Sequence, residues 1–138
     1  MIYVVVQFSC IIYLLLNAQF NLFGLIEYIL SFVAVVIGLS ALFTMKLDNL
    51  NVLPSLTKNH ELRTSGIYRF IRHPMYTSVL LLSFALMLSN ANTTTQIVMI
   101  ILLIDLILKS NLEEKLLLDR FDNYHSYRKT TGRFLPFL

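Results

Sequence analysis

Four apolar runs constrain this 138-residue chain more than any other feature: Ile2–Leu16, Leu22–Met45, Met75–Leu88 and Ile97–Leu108. A helix that crosses the hydrocarbon core of a bilayer needs about 20 mostly apolar residues. The second run meets that length outright. The other three must borrow flanking Asn, Gln, Ser, Thr or Lys to reach across. The expected fold is therefore all-α, an integral membrane bundle of about four transmembrane helices, with three spans as the alternative. Composition agrees: only 14% of residues are charged and 57% are apolar, whereas soluble domains carry about 25% charged residues. No Lys or Arg precedes the first run and no small-residue cleavage site follows it, so a removable signal peptide is not expected. Cys10 is the one cysteine, which excludes disulfides within the chain and cysteine metal clusters, and no metal site is expected.

Charge placement orients the bundle. All eleven Lys and Arg fall between Lys46 and Arg72 or between Lys109 and Arg133, and the connections Asn17–Asn21 and Asn90–Gln96 hold none. With four spans both basic zones lie on one side, and the positive-inside rule makes that side cytoplasmic, together with both termini. With three spans the zones would face opposite sides, a poorer fit to the rule. The net charge of +3 is then a topology signal, and no zinc-ligand spacing, RNA-binding aromatic motif or basic recognition helix argues for a nucleic-acid partner.

The chain shows no internal repeat and reads as a single domain over 1–138, its motif-bearing part about 60–138. In the second run Ala34, Gly38 and Ala41 recur at helical spacing, which suits close helix packing in a membrane. Glu27 is its one charge. A charge in lipid is costly and should face a partner or cavity, and structural and functional readings of Glu27 are equally open. Asp105 stands one turn before Lys109, so an i,i+4 pair is the plain reading. After the last run, "SNLEEKLLLDRF" keeps Leu112, Leu116, Leu117 and Phe121 at roughly helical spacing, an amphipathic cytoplasmic continuation of the fourth span. A short second helix and a basic, aromatic tail follow, in which Tyr124 and Tyr127 suit the headgroup region.

The chemistry concentrates in "SGIYRFIRHPMY". Pro74 fits the first turn of the third helix, and His73 before it is pushed out of helical geometry. Arg72–His73–Pro74 thus marks a helix N-terminus, where backbone N–H groups favour an anion and Arg72 adds a planar fork for carboxylate or phosphate. A snorkelling interfacial anchor is the competing reading.

The ordered set "LRTSGIYRFIRHPMY", then about forty residues on "EEKLLLDRFDNYHSY" and "RFLP", resembles the isoprenylcysteine carboxyl methyltransferase and phospholipid methyltransferase superfamily, integral membrane enzymes that use S-adenosylmethionine. The resemblance runs from about His60 to the C-terminus. It implies a cofactor site at His60, Glu61, Leu62, Arg63, Tyr68, His73, Pro74, Met75, Tyr76, Glu113 and Glu114. Arg72 joins that site through its anion-binding chemistry. A basic residue four before the first Glu is a substrate contact in the isoprenylcysteine branch. Lys109 holds that place where an arginine is expected, which weakens the case for bidentate carboxylate recognition. Ser78 stands where many members have glycine. Lys109 and Glu27 are the candidate substrate-binding residues, and His73 is the best-placed catalytic base, needed only if the acceptor arrives protonated.

The resulting expectation is a membrane-embedded methyltransferase that acts on a lipidic or small hydrophobic acceptor entering from the bilayer. Carboxyl methylation of an isoprenylcysteine-like substrate is one form of that activity. An NADPH-dependent sterol-type reductase, which shares a histidine–proline signature, and a non-catalytic membrane scaffold are the alternatives.

Overall fold

The computed structural model describes residues 1–45 and 62–138. Among them the chain is all-helical: α1 (Ile2–Asn17), α2 (Leu25–Thr44), α3 (Pro74–Ser89), α4 (Thr93–Arg120) and α5 (Tyr124–Thr130), with short 3-10 turns at Phe20–Leu22 and Gly66–Arg69. Each apolar run becomes a helix. At 1.5 Å per residue, α2 (20 residues) and α4 (28 residues) are long and apolar enough to cross a membrane, whereas α1 and α3, at 16 residues each, are apolar but shorter. α4 outgrows its apolar run at both ends. At its start Asn92 Oδ1 accepts from the N–H groups of Thr94 and Thr95 at 3.0 and 3.1 Å, a side-chain cap. At its far end the amphipathic segment continues without a break to Arg120.

Short connections join α1 to α2 and α3 to α4, and the two connections meet at one end. There Asn90 donates to the Asn17 carbonyl at 2.9 Å, and the Gln19 N–H donates to Ser89 Oγ at 3.0 Å. The C-terminus of α2, the N-terminus of α3 and the C-terminus of α4 therefore share the opposite end, and the described Lys and Arg residues belong to that half. α2 packs chiefly on α3 and α1 on α4. The small residues of α2 do what their spacing predicts. Ala34 and Ala41 are fully buried, and a β-carbon on Gly38 would come within 2.8 Å of Ser78 Oγ. Ser78 uses this closeness to donate to the Ala34 carbonyl at 2.7 Å. Between the helices, Cys10 and Leu14 of α1 meet Leu86, Met87, Leu102 and Leu106 in one apolar core. Outward-facing Phe32, Phe43, Leu16 and Leu25 are strongly exposed, which fits a surface solvated by lipid rather than water.

Glu27 acts locally. Its Oε2 accepts from the Gly24 N–H at 2.9 Å, closing the first turn of α2 at the end of the bundle where the tight connections lie. The glycine two residues before Tyr68, Gly66, is required by its backbone. It sits at φ +59°, and a β-carbon there would meet Thr44 Oγ1 at 2.6 Å. Only glycine lets this turn take the left-handed conformation while lying against the end of α2. Gly66→Ala is expected to lower stability by about 1–2 kcal/mol, read as a fall in the thermal unfolding midpoint in detergent.

Candidate active site

Pro74 opens α3 as its first residue, and His73 before it lies outside the helical region at φ −124°, ψ 60°. Two donors just before the helix are already engaged. The N–H groups of Arg72 and His73 go to the carbonyls of Gly132 and Arg133 at 2.8 and 3.0 Å, and Ile71 and Gly132 form an isolated parallel bridge. The C-terminal tail is thereby laid along the motif, and Thr77 Oγ1 fastens it again by donating to the Phe134 carbonyl at 2.6 Å. The two N–H groups just before α3 are thus taken up by the chain's own tail.

Arg72 is similarly committed. Its Nε donates to Glu114 Oε1 at 2.9 Å, and its Nη1 donates to the backbone carbonyls of Arg128, at 3.0 Å, and Thr131. Through these two nitrogens the guanidinium ties the segment before α3 to α4 and to the end of α5. Glu114 is the hub. Besides Arg72, its carboxylate faces His73 Nε2 at 3.2 Å, Arg133 Nη2 at 3.3 Å and Arg128 Nε at 3.4 Å, with the side chain only 3% exposed. A buried carboxylate this well compensated is a structural element whose loss is costly.

Glu113 is different. Its Oε1 accepts from the Tyr76 hydroxyl at 2.5 Å and its Oε2 lies 3.6 Å from His73 Nδ1. A carboxylate offers about four acceptor positions, so Glu113 keeps capacity for a further donor. The His73 ring is stacked on the Tyr76 ring at 5.4 Å with nearly parallel planes, and the imidazole bridges the two glutamates, one nitrogen toward each. Tyr68 is buried beside them. Burial first, then the neighbouring Tyr127 and Glu113, push its phenol well above the ordinary value, so it stays neutral. Tyr127 donates to the Tyr68 carbonyl at 2.6 Å and fixes the turn.

From this cluster a second thread leads into the bundle. Lys109 Nζ lies 5.0 Å over the Tyr76 ring and donates to Gln7 Oε1 of α1 at 3.0 Å. Lys109 gives this hydrogen bond to Gln7, while Asp105, one turn earlier, stays within electrostatic reach of its ammonium.

Of the expected site residues, the structure brings Tyr68, Arg72, His73, Pro74, Tyr76, Glu113 and Glu114 to one junction of α3 and α4, and Lys109 touches it through Tyr76. Leu62, Arg63 and Met75 are half-buried in the segments leading into it. His60 and Glu61 lie outside the described residues. Glu27 is engaged as a helix cap at the other end of the bundle. Tyr124, expected in the headgroup region, is 1% exposed and packs edge-on against Tyr127. Sequence reasoning missed Gln7, Thr131, Arg128 and Arg133. Arg133 carried a signal as the first residue of "RFLP", and Gln7 as a polar residue inside an apolar run.

This geometry falls largely within residues 19–119, which match the family described as isoprenylcysteine carboxyl methyltransferase (ICMT). The match covers well over half of the chain. The chain belongs to the isoprenylcysteine carboxyl methyltransferase family. That is a family of methyltransferases, and the two long apolar helices agree with a membrane protein. A sterol-type reductase is not favoured. Comparison with curated proteins finds no match. Helix α1 and the α5–tail region lie outside the matched residues, yet both reach the site: Gln7 from one side, Arg128, Thr131 and Arg133 from the other.

Proposed function

We propose that this family member transfers a methyl group from S-adenosylmethionine to the carboxylate of a lipidic, isoprenylcysteine-like acceptor that reaches the site from the bilayer. In this reading all four longer helices cross the membrane, and the Arg- and Lys-rich end carrying the site faces the cytoplasm, as the positive-inside rule requires. The observation that carries the proposal is the division of labour in the glutamate pair: Glu114 is saturated by cationic partners, while Glu113 retains acceptor capacity beside two tyrosines and a histidine.

That donor set fits the cofactor. S-adenosylmethionine supplies an electrophilic methyl on a sulfonium, which a carboxylate oxygen takes without any proton transfer. The protein's share is binding, positioning and exclusion of water. Glu113 is cast as the partner for the cofactor's ammonium or ribose hydroxyls, and Tyr68 and Tyr76 as its aromatic walls, with Leu62, Arg63, Met75 and the Pro74 turn around it. His73, both of whose nitrogens face glutamates, acts as a positioning residue; an ionised carboxylate acceptor asks for no base. Lys109 is cast as the partner for the acceptor's carboxylate.

The test is direct. Purified protein in nanodiscs is expected to bind S-adenosylhomocysteine by calorimetry. With labelled S-adenosylmethionine and an S-isoprenyl cysteine it is expected to form a product that releases labelled methanol in base, as a methyl ester does. Base-stable label recovered in phospholipid would instead make the acceptor an amine. Binding of NADPH alone would revive the reductase, and binding of neither ligand would point to a scaffold.

A further inference from the structure

The end of the bundle that carries the glutamate pair also carries an outer face that the site does not use. The Gly132 N–H donates to the Phe70 carbonyl at 3.1 Å and the Tyr127 hydroxyl to the Tyr68 carbonyl at 2.6 Å, so the Gly66–Arg69 turn, α5 and the tail form one surface. On it Phe70, Phe137 and Leu138 are exposed, the last two by 77% and 81%. Arg69 and Lys129 are exposed too, with no ion pair among the described residues. Arg128 reaches Glu114 through its Nε at 3.4 Å while its side chain stays 45% exposed. Glu114 is one carboxylate shared by Arg72, Arg128 and Arg133, which leaves this corner with excess positive charge. The height of the surface along the bundle decides what it meets. Arg133 Nη1 donates to Asn111 Oδ1 at 2.7 Å, and Asn111 stands just past Leu108, the end of the apolar run, by about 4.5 Å along the helix axis. The turn lies level with it, since Gly66 faces the Thr44 side chain at the last residue of α2. Both parts of the surface therefore sit where the apolar helix surfaces end.

We propose that this face docks anionic phospholipid: Arg69, Arg128 and Lys129 receive the phosphate-bearing headgroups while Phe70, Phe137 and Leu138 enter the adjoining acyl layer. Apolar side chains rimmed by cations at a bilayer boundary are drawn to acidic membrane surfaces, by apolar burial and by charge together. Water would solvate the cations but not two aromatic rings and a leucine. A neutral leaflet would take the rings and leave the cations without counter-charge. The proposal rests on the helices crossing the bilayer with this end at its boundary, and it is independent of the acceptor. Its consequence for the site is mechanical. The carbonyls of Gly132, Arg133 and Phe134 accept from Arg72, His73 and Thr77, so lipid that fixes the tail also steadies the segment that opens α3.

The sequence has no tryptophan, so Phe137→Trp gives the full chain a single indole on this face. The probes are nanodiscs of phosphatidylcholine, or of phosphatidylcholine mixed with phosphatidylglycerol, in which one lipid carries bromine on its acyl chains near the headgroup. Both brominated lipids are expected to quench the indole, the phosphatidylglycerol about threefold to tenfold more strongly per mole at low ionic strength. Salt at about 0.5 M is expected to bring that ratio to about one. Arg69→Gln combined with Lys129→Gln, both exposed and outside the site, is expected to bring it below about twofold. Equal quenching by the two lipids at low salt, or a ratio that neither salt nor the double variant moves, overturns the proposal. Phe32→Trp, on the exposed face of α2, separates this from the membrane placement. Quenching at position 32 with none at 137 overturns the docking surface and leaves the spans, and quenching at neither overturns both. Unquenched emission at 137 that shifts with protein concentration would give the face to a second copy of the chain, and would overturn the proposal as well.

Discussion

Glu114→Gln and Glu113→Gln, neighbouring and chemically identical changes, are expected to fail in different ways. Glu114→Gln removes the shared charge from Arg72, His73, Arg128 and Arg133, which hold three segments of chain together. Breaking a buried ion pair on one side costs about 3–5 kcal/mol, because the remaining charges stay buried without compensation. The expected result is a large drop in thermal midpoint in detergent, with loss of cofactor binding as a consequence of unfolding around the tail. Glu113→Gln keeps the hydrogen bond from Tyr76 and leaves the Arg-rich hub intact. Its stability is expected to stay within about 1 kcal/mol of wild type. S-adenosylhomocysteine affinity should fall about tenfold to a hundredfold, the worth of one charge-assisted contact. Calorimetry and thermal unfolding on the same samples separate the two effects. If Glu113→Gln unfolds the protein and Glu114→Gln leaves it stable and impaired in binding, the division of roles is reversed.

The helices were legible because lipid imposes a length and an apolar composition that a linear sequence displays directly. The small-residue spacing of Ala34, Gly38 and Ala41 likewise named a packing face, and Ser78 is the partner that face demanded. The motif residues from Tyr68 to Tyr76 and the glutamate pair were also visible as a set, though not what each does. Arg72 looked like an anion clamp because its partners lie 42 residues away in α4 and almost 60 away in the tail, and no local rule points there. The burial of Tyr124 was not visible either, because a tyrosine after an apolar helix fits a headgroup layer whether or not α5 packs its ring away. The Asp105–Lys109 relation was visible only in part. Helical spacing brings the two charges within electrostatic reach, but the lysine hydrogen bond goes to a glutamine 102 residues earlier in the chain. Polar residues isolated in apolar runs, such as Gln7, are the sequence signal for such contacts, because lipid leaves them no solvent to turn to.

Lys109 is where that contact becomes chemistry, and its removal is the second large effect expected. The residue is 1% exposed, hydrogen-bonded to Gln7 and set over the Tyr76 ring, with the Glu113 and Asp105 carboxylates within electrostatic reach. Its hydrogen bond goes to a neutral amide, which leaves ammonium donors for the carboxylate of an acceptor. Lys109→Met fills similar volume without charge, and kcat/KM for a carboxylate acceptor is expected to fall at least about a hundredfold, since truncating one side of a buried charge pair costs roughly 2–5 kcal/mol. S-adenosylhomocysteine affinity should change far less than kcat/KM, because the Arg72–Glu114 contacts are untouched. Lys109→Arg restores a cation with a planar fork able to hold a carboxylate at two points, and is expected to recover activity to within about tenfold of wild type. A Met variant that turns over carboxylate acceptors at the wild-type rate would reduce Lys109 to a packing residue, and the acceptor's carboxylate would then have to be held elsewhere on α3 or α4.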